Sequence, residues 1–258
     1  MSLSVGQKHR NKGDNNMKKT AMIIAALCLS FLASGCITKG QDIPGPSEAS
    51  GSEISGSTTE EPASAHEVTV DVITLVSSDD GLFNQVVPNV TVDGKEATDI
   101  NDMLSSYIRS EYPLEINDEY TDGMATRLYW GTKDNVLSIV IYAGETFTDY
   151  YTYDVFNFDL ETQNRIDSRE VLEHLGMTDE DFLSQASGIV ESYCADSFYD
   201  LDRSVAAVDL DNCIPFVTPD GNTGFAANIY YPADSQFAGS AARRCLSLAT
   251  KDVVVFEQ

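Results

Sequence analysis

Histidine and tryptophan are scarce in this chain of 258 residues, which has three histidines and a single tryptophan. After residue 36 only His66 and His174 remain, so a Ser-His-Asp or Cys-His hydrolase would have few residues to use as its base. The sequence also lacks a His-Glu-x-x-His zinc motif, a P-loop and a glycine-rich dinucleotide turn. We therefore predict no catalytic residue, no metal ligand and no cofactor. The many carboxylates leave a two-carboxylate glycosidase open without pointing to a particular pair.

Basic residues are also few, with 16 Lys and Arg against 41 Asp and Glu. Without residues 1–35 the count is 11 basic against 40 acidic residues, which is a net charge near −29. Such a charge repels nucleic acid and anionic lipid head groups, and it attracts cationic ions, peptides or proteins. The alternative is that the charge only keeps a secreted protein soluble. Nucleic acid is excluded as a partner in both cases.

An export signal is predicted at residues 17–36. Two lysines precede an apolar run that a single serine interrupts. The run is shorter than the roughly 20 apolar residues that a membrane-spanning helix needs, and it has the length of a signal-peptide hydrophobic region. It ends in Leu-Ala-Ser-Gly-Cys, which resembles the lipobox of bacterial lipoproteins. We therefore predict a signal peptide at residues 17–35 and lipid attachment at Cys36.

Two alternatives to a lipoprotein signal are an ordinary secretory signal with a chance cysteine and a hydrophobic helix that stays in place. Residues 1–16 are polar and precede the signal, which indicates an extension or a misassigned start. The lipoprotein interpretation predicts an extracytoplasmic protein that is anchored to the cell membrane through the lipid on Cys36.

A disordered tether is predicted at residues 36–65, because Gly, Ser, Pro, Thr and Glu dominate this segment and large apolar side chains are almost missing. Such a composition cannot bury enough surface to offset the entropy lost on ordering. The 193 residues that follow, 66–258, suit one domain with a sizeable core.

The domain at residues 66–258 contains both strand and helix patterns. Apolar side chains at helical spacing predict a helix that Thr98 caps and Pro113 ends. Asp167 with Glu170 and Thr178 with Asp181 predict the starts of two further helices. Alternating or apolar segments predict strands at 67–72, 90–92, 127–130, 136–142, 150–160, 214–217 and 225–231, with an edge strand at 253–256.

The short links between these strands favour antiparallel pairing. We therefore predict an α+β fold, a single globular domain in which two or three helices pack on a largely antiparallel sheet. The strand at 150–160 changes its apolar phase at residues 155/156, which indicates either a bulge or a strand that is covered on both faces.

Five segments carry a family resemblance, at residues 89–92, 100–104, 136–139, 155–162 and 215–221, and the phrase Asn-Phe-Asp-Leu-x-Thr carries most of it. The order of these segments resembles the extracellular domain shared by RsiV-type anti-sigma factors and PdaC-type peptidoglycan deacetylases. In RsiV-like proteins this domain binds lysozyme, and in the deacetylases it accompanies a separate catalytic domain. The sequence differs from that pattern at residues 144–149 and has no membrane-spanning sensor segment. The resemblance implies ligand capture or an accessory role, and the missing segment predicts that this chain alone does not signal across the membrane.

Three cysteines follow Cys36, namely Cys194, Cys213 and Cys245. Outside the cytoplasm two of them can form a disulfide, and we predict Cys194 with Cys213 as the pair. The alternative is that all three are buried free thiols.

Tyrosines are the candidate partner-binding residues. Twelve occur in the chain, and Tyr150, Tyr151, Tyr230 and Tyr231 form two adjacent pairs. Exposed tyrosines stack on sugars or anchor a protein partner, whereas the alternative is that they are ordinary strand residues. We expect a non-enzymatic, membrane-anchored binding protein of the cell surface, with a cationic, lysozyme-like protein as ligand. The second hypothesis is a glycan- or peptidoglycan-binding accessory protein of cell-wall metabolism.

Overall fold

The strand and helix patterns of residues 66–258 build three antiparallel sheets and four helices among the residues that the structure describes. The structure is a computed structural model, which describes residues 66–79, 81–116, 121–145, 150–195 and 197–256. All of these lie within the unit Thr59–Gln258. The predicted extension 1–16, the predicted signal peptide 17–35 and the predicted tether 36–65 with its lipidated Cys36 lie outside the described residues.

Bounds of the elements follow the chain in order. The strands are β1 Val68–Ser77, β2 Asn84–Val92, β3 Lys95–Glu96, β4 Leu114–Ile116, β5 Thr121–Lys133, β6 Val136–Glu145, β7 Tyr151–Asp159, β8 Arg165–Ile166, β9 Cys213–Val217, β10 Thr223–Tyr230 and β11 Ala241–Ser247. The helices are α1 Thr98–Glu111, α2 Ser168–His174, α3 Asp179–Ala195 and α4 Leu201–Ala206.

The central sheet has the order β4-β5-β6-β7-β8. Its β5–β6 hairpin turns through Asp134 and Asn135, whose positive φ angles of 46° and 69° match the twist of a two-residue hairpin. β7 pairs with β6 in an unbroken register. Val155 packs into one hydrophobic cluster while Phe156 packs into another. The phase change at 155/156 therefore reflects a strand covered on both faces, not a bulge.

One face of the central sheet is covered by β1, β2 and α1, whose apolar side chains share a core with β5, β6 and β7. Asn101 is a buried polar member of this contact. Its Oδ1 accepts a 2.7 Å hydrogen bond from the Val90 N–H, and its Nδ2 donates to the Val90 carbonyl at 3.2 Å. The buried amide therefore fixes α1 against β2.

The other face of the central sheet is covered by the β9–β11 sheet, in the order β11-β10-β9. Ser138 Oγ accepts a 2.8 Å hydrogen bond from the Val217 N–H and donates to Asn157 Oδ1 at 2.6 Å. Asn157 Nδ2 donates to the Pro215 carbonyl at 2.9 Å. These buried bonds hold β9 against β6 and β7 and satisfy polar groups that would be costly to leave unpaired.

Helices α2, α3 and α4 cover the outer face of the β9–β11 sheet, where Phe182 of α3 packs edge-on against Phe225 of β10. The capping box of Asp167 with Glu170 is present at the start of α2. At the start of α3, Thr178 Oγ1 accepts a 3.1 Å hydrogen bond from the Asp181 N–H. Both predicted helix starts are confirmed.

The prediction of an α+β fold with a largely antiparallel sheet is confirmed, with four helices among the described residues instead of two or three. The prediction that Thr98 caps α1 is wrong, because Ala97 holds the cap position and Thr98 is the first helical residue. Residues 253–256 form a single bridge, from Val253 to Leu246, rather than an edge strand. β11 was not predicted.

Among the described residues, none of the helices combines the length and apolar character that a membrane crossing requires.

Candidate binding surface

The predicted tyrosines lie in three different environments. Tyr151 and Tyr231 are partly buried and belong to connected groups of aromatic rings. Tyr230 lies under the guanidinium of Arg203, which is 4.0 Å from the ring centroid. Tyr150 precedes β7 and is 60% exposed. The structure therefore connects Tyr151 and Tyr231 to shared ring clusters and places Tyr230 against an arginine of α4.

Five rings form what we call the aromatic surface: Tyr193, Phe198, Tyr199, Tyr231 and Phe237. The Phe198 and Tyr199 rings stack with centroids 4.5 Å apart, and Tyr231 lies 5.2 Å from Tyr199 and 5.0 Å from Phe237. Phe198 is 66% exposed and Phe237 is 50% exposed. Two large apolar side chains therefore face solvent on a base of packed rings.

The aromatic surface is held by two connecting segments, one between α3 and α4 and one between β10 and β11. The Asp200 N–H donates to the Tyr230 carbonyl at 2.8 Å, and the Tyr230 N–H donates to Ser204 Oγ at 3.0 Å. In the second segment the Ser240 N–H and hydroxyl both donate to the Phe237 carbonyl, at 3.0 and 2.6 Å. These hydrogen bonds fix the backbone of the two segments that carry the exposed phenylalanine rings.

Arg244 of β11 connects the aromatic surface to β7. Its guanidinium donates a 2.6 Å hydrogen bond to Tyr199 Oη and lies 4.8 Å from the centroid of the Tyr151 ring. Tyr151 in turn stacks on Tyr142, with ring centroids 5.7 Å apart. Burial raises the pKa of Tyr199 to about 12, although Arg244 opposes this shift. The Tyr199 hydroxyl therefore stays protonated across the physiological range.

A second cluster surrounds Asp154 and is largely buried. Tyr107 Oη donates to Asp154 Oδ2 at 2.6 Å, Tyr112 Oη donates to the same oxygen, and Arg243 lies 3.5 Å from Oδ1. Burial, followed by Asp154, raises the pKa of Tyr107 to about 12 and raises that of Tyr112 further. Arg243 Nε is buried and has no hydrogen-bond partner. We call these four residues the Asp154 cluster.

The surface charge of the domain is acidic. Residues 66–258 contain 35 Asp and Glu against ten Lys and Arg. Asp202 and Asp234 are exposed and belong to the same part of the chain as Phe198 and Phe237, respectively. The net charge of the domain therefore favours a cationic partner at long range.

The described cysteine and histidine side chains do not form a second candidate site. Cys194, Cys213 and Cys245 are buried free thiols, which corresponds to the alternative of unpaired cysteines and not to a bond between Cys194 and Cys213. His66 Nδ1 pairs with Asp93 at 2.7 Å, and His174 Nε2 pairs with Asp159 at 3.2 Å. Within the described part of the chain, no group of three or more His, Cys, Asp or Glu side chains could hold a metal ion.

Several residues of the aromatic surface were missed in the sequence. Phe198 and Tyr199 occur in a short segment between two helices, and Phe237 lies in a turn-rich segment, so neither has a periodic pattern around it. Arg243 and Arg244 are the only adjacent basic residues after residue 65. In so acidic a chain, that dipeptide is the signal that could have indicated an arginine-dependent cluster.

Comparisons with protein-family models, with curated proteins and with solved structures found no match to the chain. The function is therefore argued from the geometry of the aromatic surface and from the charge around it.

Proposed function

We propose that this chain is a lipid-anchored, extracytoplasmic binding protein without enzymatic activity and that its ligand is a cationic, lysozyme-like protein. The observation that carries the proposal is the aromatic surface, where Phe198 and Phe237 are exposed beside packed tyrosines. Exposed aromatic side chains on a fixed base are typical anchors of protein interfaces, because they bury a large area at a small entropic cost.

The charge of the domain supports a cationic ligand. With 35 acidic and ten basic residues in 66–258, the domain attracts a basic protein at long range and raises its association rate. The rings then supply contact area at short range. The lipid on Cys36 and the tether of residues 36–65 would keep this binding surface close to the membrane to which the protein is anchored.

The test is retention of hen lysozyme by the immobilised chain at low and at moderate salt. We expect retention that weakens as salt rises, because the Debye length shortens from about 30 Å at 0.01 M to about 8 Å at 0.15 M ionic strength. The double change Phe198→Ser with Phe237→Ser should abolish retention at moderate salt. Val255→Ser, which removes another exposed apolar side chain outside the surface, is the matched control.

Failure to retain lysozyme at low salt would remove the proposal, and so would equal retention by the double variant and the parent chain. Localisation has a separate test. The mature chain should begin at Cys36 and carry the mass of attached lipid, whereas a different N-terminus would contradict the lipoprotein assignment.

A glycan is the second candidate ligand, because the Phe198 and Tyr231 rings, 5.7 Å apart, offer faces on which sugars can stack. Binding of muropeptides would depend on the same rings but little on salt. Comparing lysozyme and peptidoglycan fragments at two salt concentrations therefore separates the two candidates.

A further inference from the structure

In the part of the chain that the structure describes, β4 is the strand at the outer edge of β5, and it covers only the first three residues of β5. β4 pairs only with Thr121–Gly123, whereas β6 pairs with β5 from Met124 to Lys133 without a register shift. Among the described residues, no strand pairs with this edge of β5 after Gly123. An unpaired strand edge presents a row of donors and acceptors to which another strand can bind.

The hydrogen bonds at one end of β5 show which backbone groups face this open edge. The Met124 N–H donates to the Pro113 carbonyl at 3.1 Å, away from β6, and the Glu145 N–H donates to the Tyr150 carbonyl at 3.0 Å, away from β5. Met124 and Glu145 are therefore a non-hydrogen-bonded pair of the β5–β6 ladder. Because the pattern alternates along an antiparallel pair, the N–H and C=O groups of Leu128, Trp130 and Thr132 also face outward.

These outward groups have no backbone hydrogen bond within the described part of the chain. Thr126 shares their phase, but its hydroxyl accepts from the Val86 N–H at 2.9 Å and donates to the Val86 carbonyl at 3.2 Å. β2 therefore closes the edge at Thr126, and the open part begins at Leu128.

A groove of about 670 Å³ lies along this edge. Val72 and Val86 line it from the β1–β2 sheet, Pro219 lines it from the β9–β10 turn, and Leu128 and Trp130 line it from β5. Trp130 is 36% exposed and Val72 is also exposed, so the walls are apolar and open to solvent. Burying these walls favours an occupant with apolar side chains.

Among the described residues, Arg127 is the single charged residue that lines this groove. It is exposed, its guanidinium lies 5.9 Å from the centroid of the Tyr142 ring, and it forms no salt bridge within the described part of the chain. A carboxylate is the group that a guanidinium binds with two parallel hydrogen bonds. The groove therefore favours a ligand that has one carboxylate and otherwise neutral, apolar side chains.

Arg127 and Trp130 are three residues apart on a strand, so their side chains lie on opposite faces of β5. A strand paired with β5 would likewise present successive side chains to opposite faces. It can place a carboxylate against Arg127 and, three residues away, an apolar side chain against Trp130. A flat sugar ring has no such alternation.

We propose that the open edge of β5 binds an extended peptide by strand addition, with one carboxylate against Arg127 and apolar side chains against Trp130 and Val72. This site is separate from the aromatic surface, and its ligand has the opposite charge to the cationic protein proposed there. The acidic field of the domain is screened beyond about 8 Å at 0.15 M ionic strength, so the local arginine decides the preference at physiological salt.

The test uses the full chain and a synthetic peptide, acetyl-Val-Thr-Val-Glu-Val-Thr-Val-amide. Trp130 is the only tryptophan of the chain, so its fluorescence reports this groove directly. We expect the peptide to shift the emission of Trp130 with saturation, and its Glu→Gln form to bind about threefold more weakly, the range of a partly exposed ion pair.

Two further peptides carry N-methyl groups on alternate residues, one on the odd and one on the even positions. In a strand that pairs with β5, only alternate residues direct their N–H groups toward β5. One methylated peptide should therefore lose binding at least tenfold, while the other keeps its binding. Equal binding by both, or no emission change with any peptide, would overturn the proposal.

Arg127→Gln is the matched variant and should remove the preference for Glu over Gln without lowering the affinity for the Gln peptide. Arg109→Gln on α1 is the control, because Arg109 is exposed and lies outside the groove. Hydrogen exchange gives the second readout. The amides of Leu128, Trp130 and Thr132 should gain protection with the peptide, and protection confined to β1 would contradict the assignment.

Discussion

Arg243 and Arg244 are neighbours on β11, yet they enter two very different clusters. Successive side chains of a strand point to opposite faces. Arg243 reaches the largely buried Asp154 cluster, where its guanidinium lies 3.5 Å from Asp154 Oδ1. The hydroxyls of two tyrosines donate hydrogen bonds to the other oxygen of the same carboxylate. Arg244 reaches Tyr199 and Tyr151, and no carboxylate pairs with it among the described residues.

This difference separates a stabilising cluster from a surface suited to binding. In the Asp154 cluster one carboxylate accepts hydrogen bonds from α1 and β11, so it joins elements that are distant in the chain. The rings around Arg244 are joined by stacked and tilted ring contacts, and the group includes two exposed phenylalanines. The following changes test whether stability depends on the first cluster and binding on the second.

The largest loss of stability is expected from Asp154→Ala. This change leaves the Tyr107 and Tyr112 hydroxyls and the Arg243 guanidinium without their acceptor, which should lower the free energy of unfolding by about 2–4 kcal/mol. Urea denaturation measures it. Asp71→Ala, at an exposed position of β1, is the control and should stay within about 0.5 kcal/mol. Equal effects of the two changes would show that the Asp154 cluster does not stabilise the fold.

A smaller loss is expected from Arg244→Ala. It removes the hydrogen bond to Tyr199 and the cation–π contact with Tyr151, which should cost about 1–2 kcal/mol in the free energy of unfolding. Lysozyme retention should fall as well, because Arg244 supports the aromatic surface from below. Arg203→Ala removes an exposed arginine over Tyr230 and should have a lesser effect on both measurements. The reverse order would contradict a supporting role for Arg244.

Alkaline pH should weaken the Asp154 cluster. The pKa of Tyr107 is raised to about 12 in the folded protein, whereas a tyrosine of the unfolded chain titrates near its ordinary value of about 10. Between these values the unfolded chain binds fewer protons than the folded one, so stability is fully present below pH 10 and is lost as pH rises toward 12. Tyr107→Phe should make this loss shallower. The check is the melting temperature of both proteins from pH 9 to 12. If the Tyr107→Phe variant loses melting temperature as steeply as the parent chain, this linkage is ruled out.

The smallest effect on stability is expected from the exposed rings. Phe198→Ser with Phe237→Ser should change the free energy of unfolding by less than about 1 kcal/mol in total, because exposed side chains contribute little to folding. The same variant is expected to lose lysozyme retention. A large destabilisation would instead assign these rings to the fold.

Local patterns in the sequence predicted much of the fold. Period-two alternation indicated β1 and β10, the helical spacing of Ile100, Leu104 and Ile108 indicated α1, and the capping residues Asp167 and Thr178 marked the starts of α2 and α3. Each of these signals arises within a few residues of chain. Such patterns are sufficient to predict an element when the burial of each residue depends on its spacing from neighbouring residues in the sequence.

The missed elements depend on distant contacts. β11 contains two adjacent arginines, which are untypical of a half-buried strand, and it is stabilised by Asp154, Tyr151 and Tyr199 from other parts of the chain. The Thr98 cap was wrong because the chain turns into α1 one residue earlier, at Ala97, whose side chain is fully buried in the core with β2. The aromatic surface assembles rings from two separate segments.

The sequence by itself determined the acidic charge, the predicted export signal, the α+β class and the starts of α2 and α3, because these follow from composition and from short-range pattern. Only the tertiary structure decided that Arg243 and Arg244 serve different clusters, that Tyr151 and Tyr231 join through Arg244 and Tyr199, and that the edge of β5 is open. Those features depend on which strands lie side by side, and strand pairing between distant segments is not encoded in the spacing of neighbouring residues.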